Sequence, residues 1–173
     1  AFLKGTDLGG LVEFDLGDER FLASLGVFNG TNLSAGVGNV KGLLLTGRLD
    51  LQPLGAFGFA ESDLAREKTF RLGIGAGLIY NPYTSYDSAG HADVWVQDLR
   101  ASVSLRMAAG GFIFVAEALF RRQVDTLTNR PITATGAYGQ VGFNTPVGVE
   151  PVARVGWAVL DQSFDPRHTL WLE

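Results

Sequence analysis

The stretch QDLRASVSLRM, residues 97–107, alternates between two kinds of side chain from Asp98 onward. Leu99, Ala101, Val103 and Leu105 are apolar, and each residue between them is charged or carries a hydroxyl group. Because successive side chains of a β-strand point to opposite faces, this pattern predicts a strand with one apolar and one polar face. Alternation over about ten residues is also typical of strands that cross a bacterial outer membrane.

Seven other stretches of similar length show the same period of two. They cover residues 5–16, 20–30, 42–52, 69–80, 110–123, 136–144 and 149–159, and residues 169–173 begin a ninth. A helix would need apolar residues three and four positions apart, and each interior glycine would cost it about 1 kcal/mol relative to alanine. With 23 glycines in its 173 residues, the chain is therefore predicted to be all-β, with residues 1–173 forming a single barrel domain or barrel segment.

The connections between these stretches alternate in length. GDE, AAG and PVG are tight turns, whereas residues 31–41, 81–94, 124–133 and 160–168 form long polar loops. Short turns at one end and long loops at the other are typical of outer-membrane barrels. We therefore predict an antiparallel transmembrane β-barrel of the bacterial outer membrane, with about eight to nine strands in this chain.

Residues 53–68 fit neither a clean strand nor a helix. If they crossed the membrane, the AAG turn at 108–110 would lie on the same side as the long loops. Pro53 and the charges at Glu61, Asp63, Arg66, Glu67 and Lys68 also disfavour lipid contact. We therefore predict that 53–68 is a long connection that does not span the membrane.

Charged residues fall repeatedly on the polar faces of the predicted strands. A water-filled lumen would use such groups to shape ion passage. The candidates for its lining are Arg48, Asp50, Arg71, Asp98, Arg100, Arg106, Glu117, Arg121, Glu150 and Arg154, with Asp7, Glu13 and Asp15 on the first strand. The alternative role is pairing across neighbouring strands, for which we expect Arg48 to meet neighbours of Asp50 and Arg100 to meet Glu117. Basic and acidic groups are nearly balanced, so this set predicts no ion selectivity by itself.

Three glycines, Gly73, Gly75 and Gly77, share the polar face of the stretch GIGAGLIY. A dinucleotide-binding loop would need a helix after them, and the alternation continues instead. We therefore expect these glycines to mark a place where the wall curves or where a neighbouring group packs closely.

Several classes of chemistry have little support in the sequence. The absence of cysteine removes disulfides, thiolate catalysis and cysteine-based zinc sites, and His91 and His168 stand alone in long loops. A net charge of −4 without a basic stripe argues against a nucleic-acid partner. We predict no catalytic residue, no cofactor and no metal.

The stretches GTDLGG, VEFDL, SLGVFNGT, GRLDLQPLG, LGIGAGLIYN, GGFIFVAEALFRRQ, GAYGQVGF and VEPVARV resemble, in order and spacing, the phosphate-selective porin O/P family or its porin-like relatives. This resemblance implies a Gram-negative outer-membrane barrel of about sixteen strands. It also implies a trimer that passes anions or other small solutes. No anion-site motif of that family is visible here, and we expect the chain to be a segment of a longer polypeptide.

Other interpretations remain open at this point. A complete eight-stranded barrel would have a lumen filled by side chains, and it would anchor the envelope or bind an envelope protein instead of conducting solutes. A lipocalin-like carrier would need an apolar interior, which charges in the middle of the strands disfavour. The leading prediction is passive diffusion of small hydrophilic or anionic solutes, with outer-membrane lipid as the surrounding partner.

Overall fold

The computed structural model describes residues 8–30, 42–56, 63–86, 92–125, 129, 131–160 and 169–172. In this part of the chain all regular structure is β-strand. The nine strands are β1 (Gly9–Leu16), β2 (Phe21–Phe28), β3 (Leu44–Leu51), β4 (Arg71–Tyr86), β5 (Ala92–Ala109), β6 (Phe112–Asp125), β7 (Pro131–Phe143), β8 (Val152–Leu160) and β9 (Thr169–Leu172). No helix in the described ranges is long and apolar enough to cross a membrane.

The nine strands form one antiparallel sheet in which each strand pairs with the next along the chain. All contacts between elements in the described residues join such sequential neighbours, so the sheet is a single layer. The edge strands β1 and β9 each have one neighbour in it. The all-β antiparallel prediction is confirmed, whereas the alternative of a closed eight-stranded barrel is not the arrangement of these strands.

Alternation divides the sheet into two faces of opposite character. We call the two faces the apolar face, which carries Val103, and the polar face, which carries Arg106. On the apolar face Leu49, Val103 and Val155 are 53%, 59% and 47% exposed. On the polar face Asp50, Asp98 and Arg106 are only 2%, 0% and 5% exposed. A protein in water normally buries its apolar face against a second layer, and this sheet instead leaves it open.

Three strands are longer than the alternation predicts, and one of them is β7, which begins at Pro131 instead of residue 136. β4 continues to Tyr86 and β5 begins at Ala92, so most of the predicted loop 81–94 is strand. Pro82 pairs with Gln97 beyond the last β3–β4 pair, Leu45 with Tyr80. A proline is tolerated there because its missing N–H faces no third strand.

The connection between β3 and β4 is fixed to the short-turn end of the sheet. Its described residues, 52–56 and 63–70, form no strand, and the middle of the predicted segment 53–68 lies outside the described residues. The buried Asp63 carboxylate accepts hydrogen bonds from Arg71 Nη2 at 2.5 Å and from the Gly111 amide at 2.8 Å. Asn144 donates through Nδ2 to the carbonyl oxygens of Asp63 and Leu64. These contacts join the connection to β4, to the β5–β6 turn and to the end of β7.

Candidate functional site

The ladder register places the predicted pore-lining residues on the polar face of neighbouring strands. Gly75 lies between Asp50 and Ser104, and Gly73 lies opposite Arg106. Arg100 lies opposite Arg121, and Gln140 lies opposite Arg154. Two members of the set stand apart from the strand centres. Arg71 is the first residue of β4 and forms an ion pair with Asp63, and Glu150 precedes β8 beside Gly142.

Asp50 is the centre of the first charge cluster, which consists of Arg48, Asp50 and Arg106. Arg48 donates to both carboxylate oxygens of Asp50, through Nε at 2.6 Å and Nη2 at 2.9 Å. Arg106 Nη2 donates to Oδ1 of the same carboxylate at 3.0 Å. Two guanidinium groups therefore hold one buried carboxylate, with charge-assisted hydrogen bonds that are stronger than neutral ones.

Gly75 on β4 makes this cluster possible. Asp50 belongs to β3 and Arg106 to β5, so their side chains must meet over the strand between them. A Cβ atom at Gly75 would lie 2.6 Å from Asp50 Oδ1, 2.5 Å from Ser104 Oγ and 3.2 Å from Arg48 Nη2. Gly75 thus serves close packing of neighbouring groups, which is one of the two roles that the sequence predicts for the glycines of β4.

Gly75→Ala tests this packing. We expect the substitution to lower the free energy of unfolding by about 1–3 kcal/mol, because the new methyl group must displace a buried carboxylate held by two arginines. Urea unfolding of the protein in lipid vesicles, followed by tryptophan fluorescence, measures the change. Gly47→Ala is the matched control, since its Cβ would contact only Leu25 Cδ2, at 3.5 Å. Equal effects of the two substitutions would contradict the packing role.

Asp98 is the centre of the second charge cluster, which consists of Asp98, Arg100 and Arg121. Arg100 Nη2 donates to Asp98 Oδ2 at 2.6 Å, and Arg121 donates to both carboxylate oxygens at 2.9 and 2.8 Å. Beside this cluster, Gln123 Nε2 donates to the hydroxyl of Tyr83. Both clusters therefore consist of one fully buried aspartate between two arginines.

The expected pair between Arg100 and Glu117 does not form. Arg100 donates a hydrogen bond to Asp98 instead. Glu117 lies opposite Ser104 of β5 on one side and Tyr138 of β7 on the other. Glu117 has no hydrogen bond or ion pair within the described part of the chain. The prediction was wrong because a carboxylate on the same strand, two residues from Arg100, reaches the guanidinium group more easily than one on β6.

The third polar group of this face joins β7 and β8. Arg154 donates to Gln140 Oε1 through Nε at 2.7 Å and also through Nη2. The guanidinium carbon of Arg154 lies 5.3 Å from the centre of the Tyr138 ring, within range of a cation–π contact. Each of the six predicted arginines thus donates to an acidic or amide side chain, as Arg71 does to Asp63.

Two concave regions lie along the polar face. A groove of about 650 Å³ is lined by Glu13 and Asp15 on one side and by Arg48 and Asp50 on the other. A smaller cavity of about 140 Å³ is lined by residues that include Arg100, Ser102 and Glu117. In the described ranges no group of three or more histidine, aspartate or glutamate residues could hold a metal ion. Asp7, His91 and His168 lie outside the described residues.

The apolar face defines a belt without charge. On β6 it runs from Phe112 to Phe120, and the first charge on that face is Arg122. The ten steps from Phe112 to Arg122 span about 33 Å along a strand, or about 24 Å across a membrane for a strand tilted by about 45°. This height is close to the apolar band of outer-membrane barrels, about 25 Å.

Aromatic side chains mark both ends of this belt. Phe112 and Phe143 lie opposite each other at the short-turn end, and both are exposed. Tyr80 and Phe120 lie on the same face near the other end. Aromatic girdles at the two membrane interfaces have this arrangement.

Comparison of the chain with protein-family models, with curated proteins and with solved structures found no match. The resemblance to the phosphate-selective porin O/P family therefore stays a prediction, and function must be argued from the sheet itself. Sequence reasoning missed Gln140 as the acceptor for Arg154 and Asp63 as the partner of Arg71. The alternation predicts that Gln140 and Arg154 lie on the same face of the sheet. No signal in the sequence predicts the register that makes them neighbours.

Proposed function

We propose that the nine strands are part of the wall of an outer-membrane β-barrel through which small hydrophilic solutes diffuse passively. The observation that carries this proposal is the exposed, charge-free apolar face of a single-layer sheet whose other face is charged. The apolar face would be about 24 Å high across a membrane if the strands are tilted, and a face of this height suits contact with lipid. Water in a lumen is the environment that the polar face would suit.

The free edges of the sheet support a larger barrel. Backbone groups in the hydrocarbon core must be paired, so strands can cross a membrane only within a closed barrel. Since β1 and β9 do not pair with each other in the described residues, further strands would have to complete the wall. A barrel larger than eight strands has room for a water-filled lumen.

Conductance in planar lipid bilayers tests the channel. The protein is extracted from membranes in detergent and added to a planar lipid bilayer in about 1 M KCl, because this salt concentration gives a large current and screens surface charge. We expect steady ohmic steps. If folded protein is present in the bilayer and no current steps are recorded in repeated trials, passive diffusion through the protein is contradicted.

A structural or partner-binding barrel without channel activity is the second candidate. It is favoured by the burial of Asp50 and Asp98 beneath arginine side chains, which fill space on the polar face. In that case the long loops would engage an envelope protein. Folded, membrane-inserted but silent protein would favour this candidate.

A further inference from the structure

Arg122 differs from every other arginine of the described strands. The others lie on the polar face and donate to carboxylate or amide oxygens. Arg122 lies on the apolar face, is exposed, and makes no hydrogen bond or ion pair within the described part of the chain. Among the strand residues whose side chains the structure describes, it is the only charged one on that face.

Arg122 stands at one edge of the charge-free belt. Its distance from Phe112 corresponds to about 24 Å across a membrane, and the apolar band of outer-membrane barrels is about 25 Å tall. Such barrels tolerate an arginine at the edge of this band far better than at its middle. Arg122 is near the end of β6 that is remote from the short β5–β6 turn, and this end faces outward in such barrels. Its charge would therefore lie at the outer surface of the membrane.

Polar side chains of both neighbouring strands accompany Arg122. Thr133 of β7 lies directly opposite it, so their Cβ atoms are about 5 Å apart. Gln97 of β5 lies on the same face diagonally from Arg122, two residues beyond Leu99, and is exposed. We call Gln97, Arg122 and Thr133 the outer-edge patch. It presents guanidinium, amide and hydroxyl groups, all of which can donate hydrogen bonds to an anion.

The surface between this patch and the middle of the belt is apolar. Phe120, two residues before Arg122, is 38% exposed, and Tyr80 lies in the same row of the sheet, opposite Leu99. Guanidinium groups bind phosphate with paired, charge-assisted hydrogen bonds. A ligand that carries phosphate on an apolar body would therefore contact both regions, whereas a free phosphate ion would contact only the donors.

We propose that the outer-edge patch binds a phosphate group of a lipid in the outer leaflet, with Arg122 as the principal donor. The class of ligand is a phosphorylated glycolipid, because the outer leaflet of a Gram-negative outer membrane carries phosphates on sugars directly above the acyl chains. The inference rests on the proposed outer-membrane barrel. It adds a specific lipid partner, which the passage of solutes does not require.

Binding of a fluorescent phosphorylated glycolipid to the folded protein in detergent tests this proposal. We expect saturable binding that is weaker for the same glycolipid after removal of its phosphates. Arg122→Gln should raise the Kd about fivefold, the factor that one basic residue contributes near an anionic membrane surface. Arg122→Lys should restore part of the affinity, because lysine keeps the charge but not the paired donors. Inorganic phosphate at the concentration of the glycolipid should not displace it.

Arg20→Gln is the matched control, because it removes the same charge from the exposed turn between β1 and β2 and should leave the Kd unchanged. Migration as the folded form in unheated gels shows that each variant is folded. An equal Kd for wild type and Arg122→Gln, or for the phosphorylated and dephosphorylated glycolipids, would overturn the lipid inference alone, as would displacement by inorganic phosphate. Failure of the wild-type protein to insert into membranes would overturn the barrel, and the inference with it.

Discussion

Val103→Arg should prevent assembly of the protein into the membrane. Val103 lies in the middle of the apolar face, 59% exposed, opposite Ala76 on one side and Ala118 on the other. In the proposed barrel an arginine there would face hydrocarbon, at a cost of about 2–4 kcal/mol at the midplane. The measurement is the fraction of protein in the outer membrane that resists protease and migrates as the folded form in gels without heating.

Ser102→Arg is the control for this experiment. The substitution is one residue away on the same strand and introduces the same side chain, but on the polar face beside Glu117. We expect normal assembly and altered conductance. Equal tolerance of the two arginines would show that the apolar face does not contact lipid, and would contradict the proposed barrel.

Asp50→Ala should destabilise the folded protein by about 3–5 kcal/mol, because removing one partner of a buried ion pair leaves the other charge uncompensated. The side chain of Arg106 is 6% exposed and donates to the Asp50 carboxylate at 3.0 Å, whereas that of Arg48 is 39% exposed and can be solvated. The free energy of unfolding is measured by urea titration of the protein in lipid vesicles.

Two variants make the result specific. Glu13→Ala removes an exposed acid from the same face and should change stability by less than about 0.5 kcal/mol. The double variant Asp50→Ala, Arg106→Met should recover much of the lost stability, because it removes the stranded charge. A double variant as unstable as the single one would show that Asp50 acts through something other than Arg106.

The long connection between β3 and β4 was only partly predictable. Pro53 and the charges around residue 63 mark residues that do not continue the alternation, and the described residues on both sides of the gap form no strand. The prediction that the whole of 53–68 avoids the membrane stays a prediction. The contact of Asp63 with Arg71 and Gly111 could not be foreseen, since it depends on how the connection folds back on the sheet.

The sequence by itself determined which side chains share a face. That property is local, because successive residues of any extended chain alternate, and it therefore placed Val103 with Leu49 and Arg106 with Arg48 without knowledge of the partners. The pairing of charges was decided only by the tertiary structure. Asp50 and Arg106 are 56 residues apart, and they meet because the ladder register places them opposite Gly75 and Gly73 of the strand between them. Within the described ranges Glu117 pairs with no arginine for the same reason: register and reach, not composition, decide which acid each arginine binds.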